Sequence, residues 1–208
     1  MAPMLYTIGY SQHTQESFIE VLNQYCVEIV VDVRSSPYSV YKPEFNQNVI
    51  RNILQSNDIK YIFLGDHVGA RFSDPLVYVN GVADYEKISK HKIFILGIER
   101  LKKGIENFTI ALMCAEKDPI QCHRTILISR HLKNYANIQH ILEDGNLESH
   151  DHIEQRLLHL FKLDQLLLPG VTELANFPLA EAYKLQGQKI AFHAAHEEDY
   201  ESGAPINV

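Results

Sequence analysis

The residue types that could do chemistry are concentrated in one short segment of the sequence. This segment holds two thiols, a carboxylate, an imidazole and a guanidinium, which belong to Cys114, Glu116, Cys122, His123 and Arg124. A nearby cation lowers the pKa of a thiol and increases the fraction present as the nucleophilic thiolate. The combination predicts an anion-binding site with one or two reactive thiols. The alternative is that Cys114 only fills space in the core, as free cysteines often do.

A strand–loop–helix unit is predicted to position these residues. The apolar run at residues 109–113 is typical of a strand buried on both faces. Asp118 and Pro119 then favour a helix start, because Asp accepts hydrogen bonds from free N–H groups and Pro fits the first helical position. Ligands of open α/β sheets bind beyond the carboxyl ends of strands and at helix N-termini. We therefore expect an anion to meet Arg124 and the backbone N–H groups near residues 119–122.

Alternating patterns along the chain predict an α/β fold with a mainly parallel, open sheet and flanking helices. Strands are predicted at residues 4–8, 27–33, 60–64, 109–113 and 138–142, and helices at 15–25, 46–56 and 85–103. Strands separated by helices imply crossover connections and parallel neighbours. Residues 65–85 are predicted to be an irregular loop. Residues 1–165 are expected to form one domain, and residues 166–208 a C-terminal extension with a short helix at 179–185 and a flexible tail from His193.

Further candidate ligand-binding residues lie at the ends of other predicted strands and in the long loop. They are Gly9, Ser11, Asp32, Arg34 and Arg71. Asp32 and Arg34 are two positions apart on a strand, so their side chains point the same way and either frame a ligand or form a structural ion pair. Gly9 would let a ligand or another backbone approach closely. Arg71 could supply a second cation, although loop arginines are more often only solvated.

A catalytic interpretation assigns a role to each candidate. The roles are nucleophile for Cys114 or Cys122, anion binding for Arg124, proton transfer for His123 or Glu116, and substrate orientation for Asp32 with Arg34. The competing interpretations are a non-enzymatic module that binds a nucleotide or a nucleic-acid end, and a structural metal site. A metal would take the two cysteines, His123 and one of His140, His150 and His152. This spacing matches no familiar zinc pattern, so the sequence assigns no metal ligand.

Composition limits the classes of partner. The 208-residue chain has 26 acidic and 19 basic residues and a formal net charge of −7, which argues against non-specific nucleic-acid binding. No apolar run approaches the roughly 20 residues that span a bilayer, so no membrane contact is expected. Three cysteines and no apparent signal peptide favour a cytoplasmic location. A small anionic ligand is the expected partner, and the sequence indicates no particular cofactor or oligomeric state.

Several short motifs follow one another along the chain, namely Thr7-Ile8-Gly9-Tyr10-Ser11, Asp32-Val33-Arg34-Ser35-Ser36-Pro37, Leu64-Gly65, and Cys114-Ala115-Glu116 followed by Pro119 and Cys122-His123-Arg124. Together they resemble an uncharacterised bacterial and archaeal family, the domain of unknown function 488. Two departures are Tyr10, where His is usual, and Val68-Gly69-Ala70, where Leu-Gly-Gly is usual. The resemblance supports the choice of site and implies no reaction.

The element order is also weakly similar to rhodanese and related Cys-loop phosphatases, in which an arginine faces an anion beside a thiolate. Here nine residues separate Cys114 from Arg124, more than those loops contain. The similarity implies sulfur or phosphoryl transfer through Cys114 by fold analogy alone. Replacing Cys114 by Ser is then expected to abolish turnover and to leave anion binding largely intact.

Overall fold

A six-stranded sheet forms the centre of the computed structural model, which describes residues 2–164 and 176–194. The strands in chain order are β1 (Met4–Gly9), β2 (Ile29–Asp32), β3 (Lys60–Phe63), β4 (Tyr78–Val79), β5 (Val82–Ala83), β6 (Ile110–Cys114), β7 (Asn137–Ile141) and β8 (Leu147–Ser149). The sheet order is β3-β2-β6-β1-β7-β8, and β4 and β5 form a separate hairpin. Neighbours in the sheet are parallel except β8, which is antiparallel to β7. The predicted mainly parallel α/β fold is confirmed.

Helices cover both faces of this sheet. They are α1 (Gln15–Gln24), α2 (Gln47–Ser56), α3 (Gly65–Val68), α4 (Tyr85–Ile88), α5 (Lys92–Ile105), α6 (Arg130–Leu132), α7 (His150–Leu160) and α8 (Asn176–Ile190). A π-helical segment, Arg124–Ser129, leads directly into α6. Within residues 2–164 and 176–194, none of the helices is long and apolar enough to cross a membrane.

Alternation along the strands divides the core into two layers. In β6, Leu112 belongs to one apolar cluster and Met113 to the other, because successive side chains point to opposite faces of a sheet. The helices α1 and α2 supply one layer, through residues such as Phe18 and Leu54. The helices α5 to α8 supply the other. The sheet is therefore buried on both faces, which explains its continuous apolar runs.

Two predicted elements differ from the structure. The pattern at residues 85–103 indicates one helix, but α4 ends at Ile88 and α5 begins at Lys92. His91 makes the break, since its Nδ1 accepts a hydrogen bond from the N–H of Ile93 at 3.3 Å and caps α5. The predicted loop at residues 65–85 contains α3, a 3-10 turn at Pro75–Val77 and the β4–β5 hairpin.

The last described helix packs onto the domain. The short helix predicted at residues 179–185 lies within the longer α8, whose Ala182 and Tyr183 are buried in the core. The boundary between residues 165 and 166 stays a prediction. The tail predicted to be flexible lies outside the described residues beyond position 194.

Candidate functional site

The cysteine segment folds as a strand and a tight loop, but its helix starts later than the sequence indicates. Asp118 accepts from the N–H of Ile120 at 3.1 Å and starts a single 3-10 turn, Pro119–Gln121. Cys122 is extended, and the helical segment begins at Arg124. The prediction that N–H groups of residues 119–122 hold an anion is wrong. Ile120 donates to the Asp118 carboxylate, and Gln121 and Cys122 donate to carbonyl groups within the turn.

Four side chains from this segment converge on one point. The ligand atoms of Cys114, Glu116, Cys122 and His123 all lie within 4.8 Å of one another, so this set could hold a metal ion. The carboxylate oxygen Oε2 of Glu116 is 3.0 Å from the Cys114 sulfur and 2.8 Å from the Cys122 sulfur. The ring atom Nδ1 of His123 lies 3.7 Å from the first sulfur and 3.9 Å from the second. We call these four residues the thiol cluster.

Burial and neighbouring charges shift the pKa values in the thiol cluster. Burial, reinforced by Cys122, raises the pKa of Cys114 well above its usual value. Burial also opposes ionisation of Cys122, but its interactions with Cys114, Arg124 and His123 outweigh burial and lower its pKa. Burial chiefly raises the pKa of Glu116, and Cys122 raises the pKa of His123 against the effect of burial. Burial therefore disfavours the thiolate form of Cys114, whereas Arg124 and His123 favour the thiolate form of Cys122.

Arg124 supports the loop and does not line the cavity described below. Its side chain is fully buried, with 0 % exposure. It donates through Nη1 to the carbonyl of Glu116 at 2.7 Å, through Nη2 to the carbonyl of Lys117 at 3.3 Å, and through Nε to Thr7 Oγ1 at 3.3 Å. The predicted role in binding the anion directly is corrected: this guanidinium fixes the backbone that carries Glu116.

Gly9 is required because another backbone passes close to it. A Cβ atom at this position would lie 1.9 Å from the carbonyl oxygen of Glu116. The N–H of Ser11 donates to the carbonyl of Ala115 at 3.1 Å, so the end of β1 also holds the loop. Gly9 and Ser11 therefore position the loop and do not line the pocket described below.

We expect Gly9→Ala to lower the free energy of unfolding by about 1 to 3 kcal/mol, because a methyl group forced into a packed site displaces its neighbours. Here the neighbour is a carbonyl already held by Arg124, so it cannot move cheaply. Denaturant unfolding followed by circular dichroism measures the loss. Gly104→Ala in α5 is the control, since its Cβ would meet only the end of the Ile110 side chain. Equal losses in the two variants would contradict this account.

Asp32 and Arg34 form the predicted ion pair at the end of β2. Arg34 donates through Nε to Oδ1 of Asp32 at 2.9 Å and through Nη2 to Oδ2 at 2.6 Å. Tyr61 also donates to Oδ2, at 2.7 Å. Burial opposes the charge of Arg34, but Asp32 outweighs it and raises the arginine pKa. The guanidinium lies over the Tyr10 ring, 4.9 Å from the ring centre, and its remaining nitrogen, Nη1, is buried and within hydrogen-bond distance of no described acceptor.

A cavity of about 370 Å³ joins this ion pair to the thiol cluster. Five residues predicted from the sequence line it, namely Arg34, Arg71, Cys114, Glu116 and His123. Five others do not, namely Gly9, Ser11, Asp32, Cys122 and Arg124. The structure thus places the two arginines that border the cavity on loops separate from the cysteine segment. We call this cavity the arginine–thiol pocket.

Sequence reasoning missed several polar residues of the arginine–thiol pocket. They are Tyr10, Ser35, Ser36, Tyr38, Ser39 and Gln121. A signal for the serines was present, because Ser35 and Ser36 directly follow Arg34 at a strand end. Ile190 and Phe192 also line the pocket, from a segment expected to be an extension. Arg71 lies over the Phe192 ring, with its guanidinium carbon 4.2 Å from the ring centre.

The three histidines His140, His150 and His152 lie outside the thiol cluster, and the first two form a buried chain of hydrogen bonds. Thr7 Oγ1 is 2.8 Å from His140 Nδ1, His140 Nε2 is 3.0 Å from His150 Nδ1, and His150 Nε2 is 3.0 Å from the Tyr183 hydroxyl. Tyr183 donates to Glu154 at 2.8 Å. Each histidine can thus be neutral, donating through Nε2 and accepting through Nδ1. The exposed His152 pairs with Glu148, so none of the three completes the thiol cluster.

Comparison with known proteins identifies a family. Searches of curated proteins and of solved structures returned no match to this chain. The sequence model of one family, described as Domain of unknown function DUF488, matches residues 14–131. This segment carries both the Asp32–Arg34 ion pair and the thiol cluster. Because the match spans more than half of the 208 residues, the chain belongs to the DUF488 family.

Proposed function

We propose that the chain binds a small ligand bearing an oxyanion, such as a phosphate or sulfate group, in the arginine–thiol pocket. One observation carries the proposal: Arg34 is 95 % buried and lines the pocket, yet its Nη1 makes no hydrogen bond to a described residue. A buried donor without a partner is costly, so an acceptor is expected to fill this position when the ligand binds. Guanidinium groups also match the planar geometry of oxyanions.

The rest of the pocket supports an anion. Arg71 adds a second guanidinium, and Ser35 and Ser36 add hydroxyl donors. The ion pair with Asp32 fixes the orientation of Arg34 before the ligand arrives, which reduces the entropy lost on binding. The cavity volume falls in the range of small-molecule sites. The overall charge of −7 favours a discrete small anion over a nucleic-acid backbone.

Thiol-dependent transfer is the less supported alternative. Of the two clustered thiols, Cys114 lines the pocket and Cys122 does not. Burial raises the pKa of Cys114, which disfavours the nucleophilic thiolate form of the thiol next to the ligand as long as no metal is bound. A binding function requires only the arginines and hydroxyl groups, which are independent of that thiol.

Arg71→Ala is expected to raise the dissociation constant for an oxyanion about tenfold, because one charge-assisted hydrogen bond contributes about 1.5 kcal/mol or more. Isothermal titration calorimetry with inorganic phosphate, sulfate and adenosine monophosphate at low ionic strength measures the constants. Arg100→Ala, which removes an exposed arginine on α5, is the matched control and should leave them unchanged.

Changes in the chemical shifts of backbone amides on addition of the anion locate the binding site. Proton–nitrogen correlation spectra should show the largest shifts at Ser35 and Ser36 when the anion is added. If millimolar concentrations of all three anions leave these resonances unchanged, the proposed function is wrong. Equal weakening by Arg71→Ala and Arg100→Ala would show that general surface charge, and not the pocket, attracts the anion.

A further inference from the structure

The thiol cluster contains the donor types of a zinc site in one place. Two sulfurs, one ring nitrogen and one carboxylate oxygen lie within 4.8 Å of one another. Cys114, Cys122 and His123 are buried, with 3 %, 1 % and 8 % exposure. The two sulfurs lie within 3.0 Å of the same Glu116 oxygen. When both thiols are ionised, three negative charges lie together away from bulk water, which is unfavourable unless a cation joins them.

The surroundings of His123 provide a second, independent observation. Its Nε2 lies 2.9 Å from the carbonyl oxygen of Val33. Donation to this carbonyl places the proton on Nε2 and leaves the lone pair of Nδ1 directed at the two sulfurs. Metal-binding histidines usually show this arrangement, in which the second ring N–H donates to a backbone carbonyl or carboxylate. The tautomer of a zinc ligand is therefore already set by Val33, the residue that follows β2.

Arg124 completes the environment of the site. Its backbone N–H points at the Cys122 sulfur at 3.5 Å, and its side chain donates hydrogen bonds to the carbonyl groups of Glu116 and Lys117. Two thiolates, one carboxylate and one Zn²⁺ give a formal charge of −1, and the adjacent guanidinium balances it. Among the described residues Arg124 makes no ion pair with a carboxylate, so a neighbouring site of net negative charge would stabilise this buried guanidinium.

We propose that Cys114, Glu116, Cys122 and His123 bind one Zn²⁺ ion, through Sγ, a carboxylate oxygen, Sγ and Nδ1. Thiolate and imidazole ligands in a four-donor set favour zinc over magnesium or calcium, which prefer oxygen alone. Cys122 and His123 can serve together although they are adjacent, because Cys122 is extended and His123 is helical. The ion lies beside the arginine–thiol pocket, which three of its four ligands also line.

Elemental analysis of the purified full-length chain tests the proposal. We expect one equivalent of zinc per chain. Removing a residue that only hydrogen-bonds to a metal ligand weakens metal affinity by about 10- to 100-fold. Cys122→Ser replaces a ligand itself, so it should weaken zinc affinity by more than about 100-fold. Cys26→Ser is the matched control, because Cys26 is exposed and outside the cluster, and it should retain the zinc.

Cobalt substitution gives a second readout that needs no variant. The reduced, chelator-treated wild-type chain should bind Co²⁺ with the intense visible bands of a tetrahedral ion and a thiolate-to-cobalt charge-transfer band. Glu116→Gln should keep the charge-transfer band and bind Co²⁺ at least about tenfold more weakly.

Three results would overturn the zinc proposal. They are purified protein without zinc that also gives no tetrahedral cobalt spectrum, a Cys122→Ser variant with wild-type zinc content, and a metal-free Cys114–Cys122 disulfide in protein isolated under reducing conditions. None of these measurements requires the anionic ligand. Failure of the zinc site would leave the oxyanion proposal intact, and failure of anion binding would leave the zinc proposal intact.

Discussion

Arg124→Met is expected to lower the free energy of unfolding by about 3 to 5 kcal/mol, the usual cost of disrupting a buried charged network. Methionine fills part of the space but donates no hydrogen bond. The carbonyl groups of Glu116 and Lys117 and the hydroxyl of Thr7 would each lose a donor. A buried polar group left without a partner costs about 1 to 3 kcal/mol. Guanidinium unfolding at pH 7 measures the change.

Arg100→Met is the matched control for this experiment. Arg100 is exposed on α5, and a surface substitution of this kind usually changes stability by less than about 0.5 kcal/mol. A loss below about 1 kcal/mol for Arg124→Met would contradict the supporting role of Arg124. It would mean that the loop between β6 and the 3-10 turn holds its shape without the guanidinium.

Lowering the pH from 7 to 5 is expected to remove about 2 kcal/mol of stability through His150 alone. Burial lowers the pKa of His150 to about 4, whereas an unfolded histidine titrates near 6.5. Between these values the unfolded chain binds more protons, so stability is present above the unfolded pKa and is lost as the pH falls. The pKa of His140 is also lowered by burial, so it acts in the same direction.

The charged groups around His150 do not reverse this sign. Glu154 and Asp151 favour its charged form and Lys133 opposes it, but burial is the largest effect. Unfolding curves at pH 5, 6 and 7 should therefore show a smaller pH dependence for His150→Gln than for the wild type. His159→Gln, whose side chain is 85 % exposed, should keep the wild-type profile. Parallel profiles for the wild type and His150→Gln would contradict the prediction.

The sequence was informative wherever a local pattern determined the structure. Apolar runs indicated the strands, and the residues just after them, such as Arg34 and Cys114, proved to border one cavity. This works because the carboxyl ends of parallel strands meet at one edge of the sheet. The capping role of Asp118 was also local: its hydrogen bond to Ile120 confirms a cap, although the element it caps is the 3-10 turn and not the helix.

The sequence was misleading where partners are distant in the chain. The sequence suggests that Arg124 binds a ligand. In the structure its guanidinium donates to the carbonyl groups of Glu116 and Lys117, which reach it only because the loop folds back. The fourth possible metal ligand beside Cys114, Cys122 and His123 is Glu116, and not one of the histidines near the end of the chain. His140 and His150 face each other instead, because β7 and α7 bring them together. Spacing cannot reveal such choices, since they depend on which strands become neighbours.

The position of β1 in the sheet also affects the order in which the chain can fold during synthesis. Its two hydrogen-bonded neighbours are β6 and β7, both from the second half of the chain. A ribosome adding about 5 to 20 residues per second needs roughly 5 to 20 s to reach β6 after making β1. Throughout this interval β1 lacks both of its neighbouring strands. The nascent chain must therefore carry an unpaired central strand, a state that chaperones commonly bind.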